Sequence, residues 1–292
     1  MNLYYFGQAL NLASLYMIAG LGDAIIIKSG HFNLGGEGQV YAGGFICGIL
    51  LASMRSVPGV FAVTLAFIAA FGVSALLSLL SALMQRYKNA DFLFTSFLVS
   101  AAVIPVIDGL ISGPCRGKTG NLLATEMIDE KFQFNSIMSP SDMNLTFIAA
   151  IGLCVFGFWF LYKTTFGRQL CIYGTSARFG KYCGYDGRKI DFVSAVVSGG
   201  LHGVCGACAV CGTYFACHGG FYAGMGWNGL CASLIAGSNP LLVIPGGIVM
   251  GVAKTYADNF AIYHNIGYDI SSFIQAVVLF CFAIPFIRGK KQ

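Results

Sequence analysis

The sequence predicts an all-α polytopic membrane protein with about eight membrane segments. Three observations carry this reading. Of 292 residues, 57% are hydrophobic and only 10% are charged, against roughly 25% charged in an average soluble domain. Apolar runs recur that approach or exceed the roughly 20 residues a helix needs to cross about 30 Å of hydrocarbon. Glycine, at 39 residues, is abundant, as it is in membrane helices. A soluble globule of this length has too much surface to cover with so few charges, and disorder requires low hydrophobicity.

Six apolar runs lie near 3–27, 57–84, 92–112, 144–163, 193–217 and 270–287. Two further regions are apolar but awkward. Residues 39–53 are short and follow a Gly-rich polar start, which predicts a broken or re-entrant helix near 30–53. Residues 227–254 are interrupted by Gly237-Ser238-Asn239-Pro240, and each half reads as too short to span. That predicts a second broken or re-entrant element near 224–254. Broken segments persist in membranes where they line a cavity or are buried in protein. The whole chain, 1–292, reads as a single transmembrane domain.

Lys and Arg in short loops set the orientation. Arg86 and Lys88, the group Lys163, Arg168, Arg178, Lys181, Arg188 and Lys189, and the tail Arg288, Lys290 and Lys291 hold eleven of the 17 basic residues. These regions are therefore expected in the cytoplasm. The loop 113–143 falls outside, where Glu126, Asp129, Glu130 and Asp142 offset Arg116, Lys118 and Lys131. For the tail to end inside, region 227–254 must begin and end on one side, as a re-entrant half-helix followed by a second segment does. The same parity puts the N-terminus outside and Lys28 inside. No basic residue precedes Lys28, so the start is not expected to be a secretory signal.

The net charge of +5 does not indicate nucleic acid, because the basic residues form no continuous face. Several apparent motifs fail on context. Gly113-Pro114-Cys115-Arg116-Gly117-Lys118-Thr119 has one residue too few between its glycines for a phosphate-binding loop. Gly224-Met225-Gly226-Trp227-Asn228-Gly229 has the dinucleotide pattern but enters an apolar segment instead of a βαβ unit. Cys205, Cys208 and Cys211 are spaced as metal ligands could be. Their Gly-rich apolar surroundings favour small-residue helix packing, and no metal site is expected. The 11 cysteines as a whole read as packing residues, not a disulfide framework. The four histidines show no ligand spacing, and no catalytic set emerges.

Charged and polar groups inside the membrane carry more information. Asp23 and Asp108 fall within predicted spans, with no partner evident in the sequence. They read either as interfacial or helix-bonding groups, or as functional ones. The stretch Gly30-His31-Phe32-Asn33-Leu34-Gly35-Gly36-Glu37-Gly38-Gln39 places Asn33, Glu37 and Gln39 among glycines between two apolar runs. Lipid does not tolerate such groups unpaired, so the natural reading is a structural break lining a polar cavity.

That stretch resembles the "G-x-F-N-I-G-x-E-G-Q" signature of permease subunits of bacterial ATP-binding-cassette importers of the nucleoside and simple-sugar type, within the ribose and branched-chain amino-acid permease superfamily. A second match runs from Gly174 through Ser176, Arg178, Lys181 and Tyr182 to Gly184, and is similar to the family's "G-x-N-x-x-A-A-x-Y-x-G" cytoplasmic segment. Ser176 replaces the family's Asn, and Phe179-Gly180 its Ala pair. A third runs from Gly224 through Trp227 and Asn228 to Gly237 and Pro240, and Pro114, Thr125 and Ile128 loosely echo the external loop. Many members have one further N-terminal helix before the first motif.

The resemblance implies a subunit forming half of a transmembrane pathway for a nucleoside or simple sugar in the bacterial cytoplasmic membrane. It implies a second permease of different sequence, cytoplasmic ATPases that bind ATP and Mg, and an external substrate-binding lipoprotein or protein. This chain itself would carry no cofactor and no enzyme activity. The two broken segments, one in each half of the chain, point to Asn33, Glu37, Gln39, Trp227 and Asn228 as substrate-pathway residues facing the partner permease. Gly174, Ser176, Arg178, Lys181, Tyr182 and Gly184 are assigned to ATPase coupling, within a cytoplasmic segment of about 164–192. The competing class is a self-sufficient secondary carrier or channel, which calls for paired buried charges or a pore-lining charge ring. An integral-membrane enzyme would need a catalytic constellation at a membrane face.

Overall fold

A computed structural model describes residues 3–117, 122–265 and 270–289. Lys118, Thr119, Lys290, Lys291 and the side chain of Arg288 lie outside the described residues. Among the described residues the long regular elements are helices: α1 (Leu3–Lys28), α2 (Gly36–Ser53), α3 (Gly59–Lys88), α4 (Phe92–Ser112), α5 (Thr146–Lys163), α6 (Thr165–Thr175), α7 (Ala177–Tyr182), α8 (Gly187–Ala209, continued by a π turn over Val210–Tyr214), α9 (Met225–Ile235), α10 (Pro240–Tyr263) and α11 (Ile270–Gly289). Among the described residues six helices are long and apolar enough to cross a membrane: α1, α3, α4, α5, α8 with its π turn, and α10. The protein is a multi-pass membrane protein.

Local sequence sets the boundaries. Asp91, Thr164, Ser176, Asp186 and Asn239 each cap the helix that follows, accepting a bond from a first-turn N–H. Such caps satisfy donors that have no intrahelical partner. Pro240 opens α10, where its missing N–H costs nothing.

The break at residues 236–239 is where the turn signal put it, but α10 is not a half-span. It runs 24 residues to Tyr263. The predicted apolar region ends at residue 254. In the structure Lys254 pairs with Asp258 one turn on, at 2.8 Å, so the helix continues through both. The predicted span 193–217 likewise begins earlier, at Gly187, and its last turn is a π turn ending at Tyr214.

Helices α1 and α8 are enclosed, whereas α3, α4 and α5 expose most of their circumference. The enclosed helices meet through small residues. A Cβ added to Gly206 would lie 2.0 Å from the Val40 carbonyl, and one on Gly43 2.4 Å from Gly203 Cα. Such contacts drive helix association where lipid offers no hydrophobic gain. At one end Gly174 abuts the Lys28 carbonyl, His31 bonds Asp191 at 3.0 Å and Gln85 reaches His31 at 3.3 Å. This end gathers Lys28, Arg86, Lys88 and the 163–189 group, which the basic-residue bias assigns to the cytoplasm. At the other end the loop after α4 is pinned to the π turn that ends α8 and to the link that follows it. Thr125 N–H donates to Cys217, Ile128 to Phe215 and Phe134 to Cys211, at 2.8, 2.9 and 2.8 Å.

Gly206→Val is expected to destabilise the purified protein by about 1–3 kcal/mol through overpacking, read as a lower thermal midpoint in detergent. Gly72→Ala, with nothing within 4 Å of the new carbon, should leave the midpoint unchanged or raise it.

Candidate functional site

Both predicted breaks lead to one place. Between α1 and α2 the backbone leaves helical form over residues 29–35, and α2 begins at Gly36. A Cβ on Gly36 would lie 2.9 Å from His202 Nε2, and His202 sits near the middle of the 28-residue run Gly187–Tyr214. So α2 starts at mid-membrane. The link 215–224 brings the chain back from the outer end of α8, and α9 starts at Met225, at the same depth. A Cβ on Gly226 would lie 2.6 Å from Glu37 N. Two half-helix N-termini therefore face each other inside the bundle.

Glu37 joins them. It lies in the first turn of α2, and its carboxylate accepts from Trp227 N–H at 2.9 Å and from Gly224 N–H at 3.3 Å. One buried anion thus serves the free N–H groups of α9 and the positive dipole ends of both helices. The link before α2 is satisfied in the same way. Asn33 and Gln39 bond each other through both amides, at 2.8 and 3.2 Å, and Asn33 also donates to Ser198 Oγ at 3.0 Å. Asn33 Oδ1 receives Gly35 N–H, while Leu34 and Gly38 N–H reach Ser96 and Ser100 on α4.

The five predicted pathway residues are brought together, with different exposures. Asn33, Glu37, Gln39 and Asn228 are buried. Trp227 is half-buried and lines a narrow crevice with Leu34 and Leu230. Asn228 Nδ2 has no hydrogen-bond partner among the described residues.

Of Asp23 and Asp108, which lacked partners in the sequence, Asp108 has a hydrogen-bond partner, and Asp23 has a close buried neighbour but no hydrogen bond among the described residues. Asp108 accepts from Tyr41 Oη at 2.5 Å. Asp23 Oδ2 lies 3.5 Å from His202 Nε2, and both side chains are fully enclosed. His202 Nδ1 faces the Ser198 carbonyl at 2.9 Å. A carbonyl only accepts, so Nδ1 carries a hydrogen. Nε2 and the carboxylate then repel unless a proton sits on one of them. A legible signal did exist: Ser194, Ser198 and His202 recur every four residues, a polar stripe on one face of an apolar helix.

The basic segment after α5 forms α6, α7 and a turn closed by Gly184 at φ +79°. The expected short helix is present as Ala177–Tyr182, capped by Ser176. Arg178, Lys181, Phe179 and Tyr182 are exposed, Tyr182 at 85%. Gly180 and Gly187 pack on Tyr173, so small residues there hold α7 down while its other side stays open. The three spaced cysteines are buried in α8 and its π turn and do not converge. Cys205 donates to the Leu15 carbonyl at 3.3 Å, whereas Cys211 meets Cys47 at 3.8 Å.

Half-helices meeting inside an apolar helical bundle are the arrangement of a membrane transport subunit. The chain belongs to the family described as branched-chain amino acid transport system / permease component, whose profile matches residues 5–283. It is the permease subunit of an ATP-binding-cassette importer. It is 30% identical over 94% of its length, and 73% of the relative's, to a "probable riboflavin import permease protein" of Treponema pallidum. It is 23% identical over 99% of its length, and 85% of the relative's, to a guanosine ABC transporter permease protein of Bacillus subtilis. A glucose ABC transporter permease protein of Haloferax volcanii is 21% identical over 93% of this chain and 74% of its own. Permeases of this kind work with ATPase and substrate-binding partners.

Asp23→Ala or His202→Ala is expected to cost about 3–5 kcal/mol, because each leaves a buried polar partner stranded. The double substitution should cost clearly less than the sum, measured by unfolding in mixed detergent. Replacing Cys205, Cys208 and Cys211 together by Ala or Ser should leave uptake intact, with no stoichiometric zinc or iron in the parent protein by metal analysis.

Proposed function

We propose that this chain forms half of the pathway by which a nucleoside, or a chemically related sugar, enters a bacterium across its cytoplasmic membrane. A second permease of different sequence supplies the other half. ATPase subunits, which bind the ATP and Mg, drive transport, and an external lipoprotein or soluble binding protein delivers the solute. The 292 residues act as one transmembrane domain. The observation that carries this reading is the Glu37 junction, where two broken segments from opposite halves of the chain meet. Relatives named for guanosine and glucose support the solute class.

In this reading half-buried Trp227 presents an aromatic face to the pathway, and Asn228 stands buried next to it with an amide nitrogen that has no partner among the described residues. Asn33, Glu37 and Gln39 hold the waist in shape, since their polar atoms bond the broken backbone and one another. The site should bind weakly, because an importer fed by a binding protein must release what it receives. Gly174, Ser176, Arg178, Lys181, Tyr182 and Gly184 shape and present α7 to a groove of the ATPase. Phe179 and Tyr182 supply apolar contact area there, and Arg178 and Lys181 the charge.

Two measurements test this. Asn33→Ala, Gln39→Ala and Trp227→Phe are compared in assembled complexes in vesicles. Lost uptake with normal assembly is expected, and normal uptake in all three, or misassembly in all three, overturns the pathway role. Cysteines placed singly at 176–182 should cross-link to the ATPase at one or more positions. No cross-link anywhere, in a complex that still hydrolyses ATP, overturns the coupling role.

A further inference from the structure

Asp108 is left over by the junction just described. It lies on α4, and its depth is fixed by its partner. Tyr41 is five residues beyond the mid-membrane start of α2, a rise of about 8 Å. The pair is therefore within the roughly 15 Å half-thickness of hydrocarbon. Tyr41 is fully buried, but Asp108 is partly exposed. A carboxylate at that depth does not face lipid without large cost.

A second observation concerns the same surface. The link 215–224 is non-helical, and Gly219, Gly220 and Ala223 on it are exposed. It passes Asp108 directly: a Cβ on Gly219 would lie 3.8 Å from Asp108 Oδ1. Exposed irregular backbone at membrane depth is tolerated where it lines water or is covered by protein. Beside it, α4 exposes Ala101, Pro105 and Gly109, together with Val106. The ring of Tyr222, half-buried, lies 4.9 Å from that of Tyr41.

We propose that this surface is the outer, water-filled mouth of the pathway, and that Asp108 is a solute-recognition residue there, accepting N–H or O–H donors of the passing solute beside the ring of Tyr222. Tyr41 occupies one carboxylate oxygen and fixes the group's orientation. The aromatic face and fixed acceptor suit a flat, neutral, donor-rich heterocycle or sugar ring. The solute part rests on the proposed function; the water-filled mouth does not.

The test has two arms in the assembled transporter, with exposed Cys183 and Cys281 changed to Ser. In the first, Ala101→Cys, Pro105→Cys and Gly109→Cys are treated from outside with a membrane-impermeant sulfonate thiol reagent. Ile148→Cys and Phe156→Cys on the exposed face of α5 serve as lipid-facing controls. Labelling of the α4 positions at least tenfold faster than the controls is expected; equal rates overturn the mouth. In the second, uptake of radiolabelled guanosine is compared for the parent, Asp108→Asn and Tyr41→Phe, with co-purification of partner subunits as the folding control. Asp108→Asn should lower uptake at least tenfold in complexes that assemble normally, with Tyr41→Phe intermediate. Unchanged uptake in Asp108→Asn overturns the recognition role, as does loss of assembly that Asp108→Glu repairs along with uptake. If the parent itself imports no guanosine, the proposed solute fails while the labelling arm still reads the mouth.

Discussion

The structure depends on a single carboxylate placed where two helices begin inside the membrane. A helix start carries free N–H groups and a positive partial charge. Two such starts facing each other in a low-dielectric interior repel and leave donors unsatisfied. Glu37 answers both problems, because it belongs to the first turn of α2 and reaches the first turn of α9. The approach is possible only because the backbones touch through Gly36 and Gly226, where any side chain would collide.

What surrounds the junction follows from the same need to satisfy broken backbone without water. Asn33 and Gln39 lock together, Ser96 and Ser100 extend from α4, and Ser198 closes the set from α8. These bonds tie α2, α4 and α8 to a link that has no regular structure of its own. The other end of that link is gripped by Gly174 against Lys28 and Gly30, and by Asp191 of α8 and Gln85 of α3, which both meet His31. The link thus runs from a packed contact with Gly174, in the helix before α7, to the start of α2 inside the bundle.

Around this core the helices pack through small residues instead of large apolar ones. In lipid, burial of a leucine gains little, and close backbone approach gains more. That accounts for the glycines on α2 and α8 and for cysteines buried singly against backbone carbonyls. It also accounts for the outward display of Phe, Leu and Val on α3, α4 and α5.

By itself the sequence determined the all-helical membrane class, the two breaks, the capped cytoplasmic helix and the end of the molecule that gathers the basic residues. These are local properties: apolar run length, glycine and proline placement, cap residues and charge bias each act within a few residues. It also brought forward Asn33, Glu37, Gln39, Trp227 and Asn228, because polar groups amid apolar ones are conspicuous in a line of text. Only the tertiary structure decided what they touch. Glu37 meets α9 and Asp23 meets His202 across far more than a hundred residues of chain, a separation no local pattern encodes. The reach of α10 past Lys254 was hidden for a related reason. A charge reads as a stop in one dimension, and it ceases to be one when its counter-charge lies one helical turn away.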